Sequence, residues 1–366
     1  MRQRPGDEPG GYACRNRNPR NRFGSPRTGA TPLLTPEPSS LLSPFRIDPK
    51  FDTRVWGYQD LRPWFDRVAV DGEPIGEVWL TGDMCLVATG PHRGKRLDAL
   101  FAEVGHSAGA NALLGPEAPS PESPLLIKVL FAKEKLSVQV HPDDKMAQKY
   151  GDPRGKTECW YALAADPEAK VAVGLKPGVT LEQVKAGIHA GTLESSLNTL
   201  SVARGDAIFV DAGTVHAIWP GSVLLETQQN CDLTYRMYDY GRPRELHIDR
   251  SLEATKLVTR AGKVAPKVLA DRTILIDADY FRVERIPVTR SRSSESLTNG
   301  DRPAPGLAYL FAAAGAGRIE GSEFAPVELP PRGIVAVPAS SPDFTVEDLG
   351  MADAALDLIR ITPRWP

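Results

Sequence analysis

Cysteine is scarce in this 366-residue chain, net charge is nearly absent, and there is no long apolar run; each shortage removes a class of protein. The four cysteines, Cys14, Cys85, Cys159 and Cys231, are widely scattered with no C-x-x-C pair, which argues against a disulfide framework and against a thiolate zinc knot. A formal net charge of −2 excludes a strongly basic nucleic-acid binder on bulk grounds but leaves room for a local basic pocket. No apolar run approaches the roughly 18 residues of a membrane span, and the arginines near the N-terminus are not followed by the apolar core of a secretory signal. A reduced, soluble, cytoplasmic protein with no nucleic-acid and no membrane partner is expected. Histidine is absent from the last third, since all six lie before residue 248. Histidine-based metal chemistry therefore belongs upstream.

Residues 1–44 are rich in Arg, Pro, Gly, Asn and Ser with almost no periodic apolar pattern. Such a segment buries too little apolar surface to offset its ordering entropy, so a disordered extension is expected. Globular composition follows. Strands are expected at 76–81, 124–130, 136–141, 158–163, 170–174, 206–210, 223–227 and 233–238, which suggests a β-sandwich or barrel rather than a βαβ repeat. Helices are expected at 95–105, 143–150, 180–200 and 249–259. The third opens with a capping box at Thr180 and Gln183 and carries Leu181, Val184 and Ile188 at helical spacing. Short strands at 273–276, 281–287, 307–313, 333–338 and 356–361 indicate a second β block. The expected organisation is an extension over 1–44, a main β domain with helical insertions over 45–263, and a metal-free β domain over 264–366.

The chemistry-bearing segments lie in the middle block. On a strand through Leu136-Ser-Val-Gln-Val-His-Pro142, Ser137, Gln139 and His141 share one face while Val138 and Val140 take the other. A polar row facing inward is costly unless something satisfies it, and a metal ion taking an imidazole nitrogen and an amide oxygen does so. Lys156 and Glu158 likewise share a face. Glu158 can complete a metal shell, with Lys156 meeting an anionic substrate, or the two can form a buried ion pair. Gly205 to His216 resembles the second cupin signature, in which a tight turn at glycine delivers a histidine into the barrel; Asp211 stands where proline is commoner. Gln139, His141, Glu158 and His216 together offer only N and O donors, which suits a catalytic zinc with open positions. Arg236 shares a strand face with Thr234 and Tyr238 and is either an ion-pair partner or an anion clamp.

The runs LSVQVHPDD (136–144), GKTECWY (155–161), GTVHAI (213–218), LETQQN (225–230), TYRMYDY (234–240) and RELH (244–247), with WG at Trp56 and GEVW at 76–79, closely resemble type I mannose-6-phosphate isomerase in its short bacterial form. That resemblance implies a cupin (jelly-roll) catalytic domain over 45–263 and a cupin-like C-terminal domain. It implies one Zn2+ per chain held by Gln139, His141, Glu158 and His216. It implies Arg236 and Lys156 as catalytic residues, with Ser137, Lys128 and Lys156 gathering a substrate phosphate. Glu226 and Asp232 match acidic positions in the same cavity. The reaction implied interconverts mannose 6-phosphate and fructose 6-phosphate by proton transfer between C2 and C1 through an enediol. The proton carrier is left open among Glu226, a zinc-held water and a histidine. The partner expected is a small sugar phosphate, met by a monomer or weak homodimer. Ile218 stands where longer relatives carry tyrosine. The alternatives are a related cupin isomerase acting on glucose 6-phosphate, an iron dioxygenase on the same scaffold, and a sugar-phosphate sensor without turnover.

Overall fold

Short apolar and β-branched runs punctuated by Gly, Pro and Asp turns fold as strands, and in the computed structural model every strand pairing among the described residues is antiparallel. The structure describes residues 42–105, 110–298, 306–350 and 354–366. The expectation for the N-terminal extension lies outside the described residues, except that Leu42 packs on the core.

Two sheets build the site. The larger runs in spatial order Gly262–Val264, Ala207–Val210, Glu158–Ala165, Ser222–Gln229, Leu125–Ala132, Ile75–Trp79 and Lys50–Tyr58. The smaller runs Tyr235–Tyr238, Val138–Val140, His216–Ile218, Lys170–Leu175 and Leu197–Ser201. Their inner faces meet through Leu130, Trp160, Ile208 and Leu224 on one side and Val171, Val173 and Ile218 on the other. Val138 and Val140 point the opposite way, as the strand period demands, onto Val184 and Ile188 of the helix Leu181–Ala190. This is the two-layered β architecture of the cupin class, with the two sheets facing each other rather than closing into one continuous barrel.

The C-terminal strands form most of an eight-stranded sheet and a four-stranded sheet, with Ile286, Leu310, Ile319 and Val346 packed between them. The strand Phe45–Asp48 inserts into the eight-stranded sheet between Ile334–Val337 and Leu86–Val87. A single apolar cluster then joins Phe45, Val78 and Phe131 to Phe281, Phe311 and Ile359. Residues on both sides of position 264 therefore share one core, although the C-terminal strands also enclose an apolar cluster of their own. No helix among the described residues is long and apolar enough to cross a membrane.

Two expectations are corrected. The helix expected over 180–200 keeps its capping box but ends at Ala190, because Gly191 adopts φ 68° and closes the last turn. The chain then makes a short 3-10 turn and the strand Leu197–Ser201. Tyr238 does not share the face of Arg236, since the pairing with Val138–Val140 shifts register between them and Tyr238 turns to the helix-covered side.

Candidate metal centre and active-site cavity

Each inner face contributes one half of the site. On the smaller sheet His216 pairs directly with Gln139, and Gln139 with Arg236. On the larger sheet Glu226 sits between Lys128 and Trp160, and Gln228 pairs with Glu158. Local backbone features bring the carriers together. Gly213, at φ 92°, donates its N–H to the carbonyl of His141 at 2.8 Å and turns the chain toward His216. Gly155 lies so close to Pro142 and Asp143 that a Cβ there would stand 2.5 Å from the Pro142 carbonyl oxygen. Asp211 accepts hydrogen bonds from Thr214 Oγ1 at 2.9 Å and from the Arg260 N–H at 3.2 Å, which gives the turn a bracing that proline lacks.

His141, Glu158 and His216 converge, with donor atoms all within 4.8 Å of one another. Glu158 Oε2 is 3.5 Å from His141 Nε2 and Oε1 is 3.4 Å from His216 Nε2. Both histidines turn Nδ1 onto a backbone carbonyl, Leu233 and Thr214 respectively, each at 2.9 Å. That fixes the tautomer and leaves Nε2 with a lone pair facing Glu158. Burial, reinforced by Lys156 and the other histidine, holds His141 well below the ordinary histidine value; burial brings His216 down to about 4. Both rings are neutral at pH 7. Gln139 lies alongside, its Nε2 3.2 Å from His216 Nε2 and its Oε1 accepting from Ser137 Oγ at 3.1 Å.

Three buried atoms here, His141 Nε2 and both oxygens of Glu158, take no hydrogen bond, although Lys156 Nζ stands 3.0 Å from Glu158 Oε2 as an ion pair. Glu158 is 0% exposed and the two histidines 1%. Buried acceptors left this way are costly, and neutral imidazoles around a carboxylate are the donor set a divalent cation satisfies. The residues fit a metal.

In front of this group opens a cavity of about 460 Å³. Gln139, Ser137, Lys128, Lys156, Glu226, Asp232 and Arg236 all line it, so every expected site residue lies on its wall or directly behind it. Lys128, 2% exposed, is ringed by Asp232 at 3.2 Å, Glu77 at 3.5 Å and Glu226 at 3.7 Å. Its ammonium also stands 4.8 Å from the centre of the Trp79 ring. Burial opposes its charge, but the carboxylates raise its pKa above the ordinary lysine value. Burial likewise opposes the charge on Lys156, and Glu158 and Glu226 outweigh it, leaving its pKa raised. Glu226 accepts from Trp160 Nε1 at 3.1 Å. Burial first, then the charge of Glu158, pushes it up to about 7 against the pull of Lys156 and Lys128. Arg236 donates Nη1 to the Glu245 carbonyl at 2.9 Å, while its buried Nε has no partner.

Sequence reasoning passed over three wall residues. Glu77 receives a two-pronged bond from Arg54, 3.0 Å at each oxygen, and another from Trp79 Nε1 at 2.7 Å. Burial alone would raise its pKa, yet Lys128 and Arg54 hold it at about 2. Arg244, bound through both ends to Asp239 at 2.7 Å, completes the rim. The inward alternation of Glu77 and Trp79 about Val78 was a usable signal for Glu77. For the arginines, which are brought in from strands and turns distant in sequence, there was none.

A mainly β, cupin-class chain with a buried His/Glu group behind a charged cavity defines the class. Comparison with known proteins defines the family. Residues 45–177 match the family described as phosphomannose isomerase type I, catalytic domain. Mannose-6-phosphate isomerase of Streptococcus mutans is 33% identical over 265 residues, covering 69% of this chain and 81% of that protein. Mannose-6-phosphate isomerase ManA of Bacillus subtilis is 33% identical over 265 residues, covering 68% and 81%. The crystal structure of the mannose 6-phosphate isomerase from Bacillus subtilis superposes with a TM-score of 0.74 at 28% identity, over 87% of this chain and 99% of that one. This chain belongs to the type I phosphomannose isomerase family and is an isomerase.

Proposed function

We propose that the chain interconverts mannose 6-phosphate and fructose 6-phosphate, with one zinc ion held by Gln139, His141, Glu158 and His216. The observation that carries this reading is the convergence of three buried donor atoms that take no hydrogen bond, behind a cavity rimmed with lysine and arginine. Turning the Gln139 amide by half a revolution brings Oε1 into the group and lets Nε2 donate to Ser137 Oγ, so the fourth ligand needs no backbone change. When bound, the zinc supplies Lewis-acid polarisation of substrate oxygens.

The chain's own residues do the rest. Ser137 and Lys156 present donors to the phosphate, and Lys128 adds its positive field from behind its carboxylates. Asp232, half-exposed on the rim, takes a sugar hydroxyl. Glu226, with its carboxyl near neutrality and facing the cavity, carries the proton between C2 and C1 through an enediol. Arg236 brings fixed positive charge and an unused Nε–H to the oxygen that gains charge as the enediol forms. Trp56, Leu130, Leu136 and Ile218 wall the cavity on its apolar side and limit water around the exposed carbanion-like centre. A coupled assay of mannose 6-phosphate against glucose 6-phosphate tests the substrate. Conversion of the first far faster than the second is expected, and equal rates, or turnover of the second only, contradict the proposal.

A further inference from the structure

Asp144, the first residue of the helix Asp144–Lys149, ties together four separate parts of the chain. Its Oδ1 accepts the N–H of Gly155 at 2.7 Å and Nε2 of Gln229 at 3.0 Å. Its Oδ2 accepts the hydroxyl of Tyr280 at 2.7 Å. Gln229 extends the junction, accepting the Thr157 N–H on Oε1 at 2.8 Å and donating its own N–H to the Thr157 carbonyl at 3.1 Å. The Lys156 N–H closes it on the Pro142 carbonyl at 3.0 Å. The segment just past His141 is thereby fastened to the segment that delivers Lys156 and Glu158, and both to the end of the strand that carries Glu226. Tyr280, at a turn in the C-terminal sheet, is anchored by the Arg364 N–H on its carbonyl at 2.8 Å.

From this junction we infer that Asp144 and Tyr280 are positioning residues for the metal centre, so that the C-terminal strands help to set the spacing between His141 and Glu158. The inference rests on the zinc reading above. Asp144, Gln229 and Tyr280 do not line the cavity, so their effect on the metal passes through the segments they brace, chiefly the backbone of residues 142–157. Hydrogen bonds that orient ligands from behind typically change metal affinity by about 10- to 100-fold when removed. Here the connection is one step more remote, and about 10-fold is expected.

The experiment compares the full chain with Asp144→Ala, Asp144→Asn and Tyr280→Phe. Zinc affinity is read by competition with a chromophoric chelator, and backbone exchange of residues 153–158 by deuterium uptake in the metal-free protein. Asp144→Ala is expected to weaken zinc about 10-fold and to speed exchange at Gly155 and Thr157. Asp144→Asn restores both, because its oxygen still accepts two bonds and the Tyr280 hydroxyl can turn to accept from Nδ2. Tyr280→Phe, which keeps its ring packing, moves both readouts in the direction of Asp144→Ala by a smaller amount. Wild-type affinity and exchange in Asp144→Ala, or an Asp144→Asn variant as impaired as Asp144→Ala, overturns the inference. If the wild-type chain takes up no zinc, faster exchange in Tyr280→Phe still supports the junction and only the metal reading fails; unchanged exchange there overturns the junction itself.

Discussion

Glu226→Gln separates the electrostatic account of the cavity from a purely steric one. Glu226 is 4% exposed, and burial together with the charge of Glu158 raises its carboxyl from 4.5 to about 7. In the unfolded chain it ionises near 4.5, so between those values the folded state binds more protons than the unfolded state. Stability contributed by this group is therefore full below pH 4.5 and is lost as the pH rises through 7. A shift of 2.5 units at about 1.36 kcal/mol per unit gives about 3 kcal/mol between pH 4.5 and pH 8. Glutamine has nearly the same shape and does not titrate, so the variant escapes this loss. With about 2.1 cal/mol/K of unfolding entropy per residue over the Leu41–Pro366 unit, 3 kcal/mol corresponds to about 4 °C in Tm. Thermal melts of metal-free wild-type and Glu226→Gln protein at pH 4.5 and pH 8 should show the gap between them moving by that amount in favour of the variant. Zinc should shrink the change, since a cation beside Glu158 favours the ionised Glu226. A gap that stays constant with pH in the metal-free protein refutes the reasoning.

Three further outcomes follow from the same geometry. Arg236→Ala should lower kcat by about 100- to 1,000-fold with a smaller change in KM, the pattern for a group acting on charge that develops in the transition state; steady-state kinetics decide it. Acid should destabilise the metal-free protein through its histidines. His216 drops from 6.5 to about 4, so the unfolded state binds the extra proton, and stability present above pH 6.5 is lost by about 3 kcal/mol as the pH falls to 4; His216→Gln should flatten that limb of a Tm-against-pH curve. Lys128→Met should destabilise the fold by about 3 kcal/mol, the lower end for breaking a buried pair, because it removes the cation shared by Glu77 and Glu226 while Arg54 still holds Glu77. Denaturant titration measures this loss.

Period-2 logic was enough to put Gln139 with His141 and Lys156 with Glu158, because an extended chain has only two faces and the intervening Val140 and Thr157 take the other one. The glycine turn before His216 was equally plain, since Gly213 needs a positive φ that few other residues adopt. What the sequence withheld was long-range. Nothing in the pattern says that Lys128 meets Asp232, Glu77 and Glu226 from three other segments, or that Phe45–Asp48 joins the C-terminal strands. The helix over 180–200 was overextended because leucines on either side of Gly191 kept an apolar rhythm that its left-handed backbone breaks. The bulge after Arg236 shows the same limit, since one extra residue reverses a face without any mark in composition. The metal group could be reasoned from residues, whereas the sugar phosphate rested on resemblance.

The most direct test of the zinc-dependent isomerase reading is the activity of metal-stripped protein on mannose 6-phosphate before and after titration with zinc, followed together with bound-metal content. The account predicts that activity disappears with the metal and returns in proportion to zinc up to one equivalent per chain, and that His141→Ala neither retains stoichiometric zinc nor recovers. Full activity in protein shown to be free of metal contradicts it.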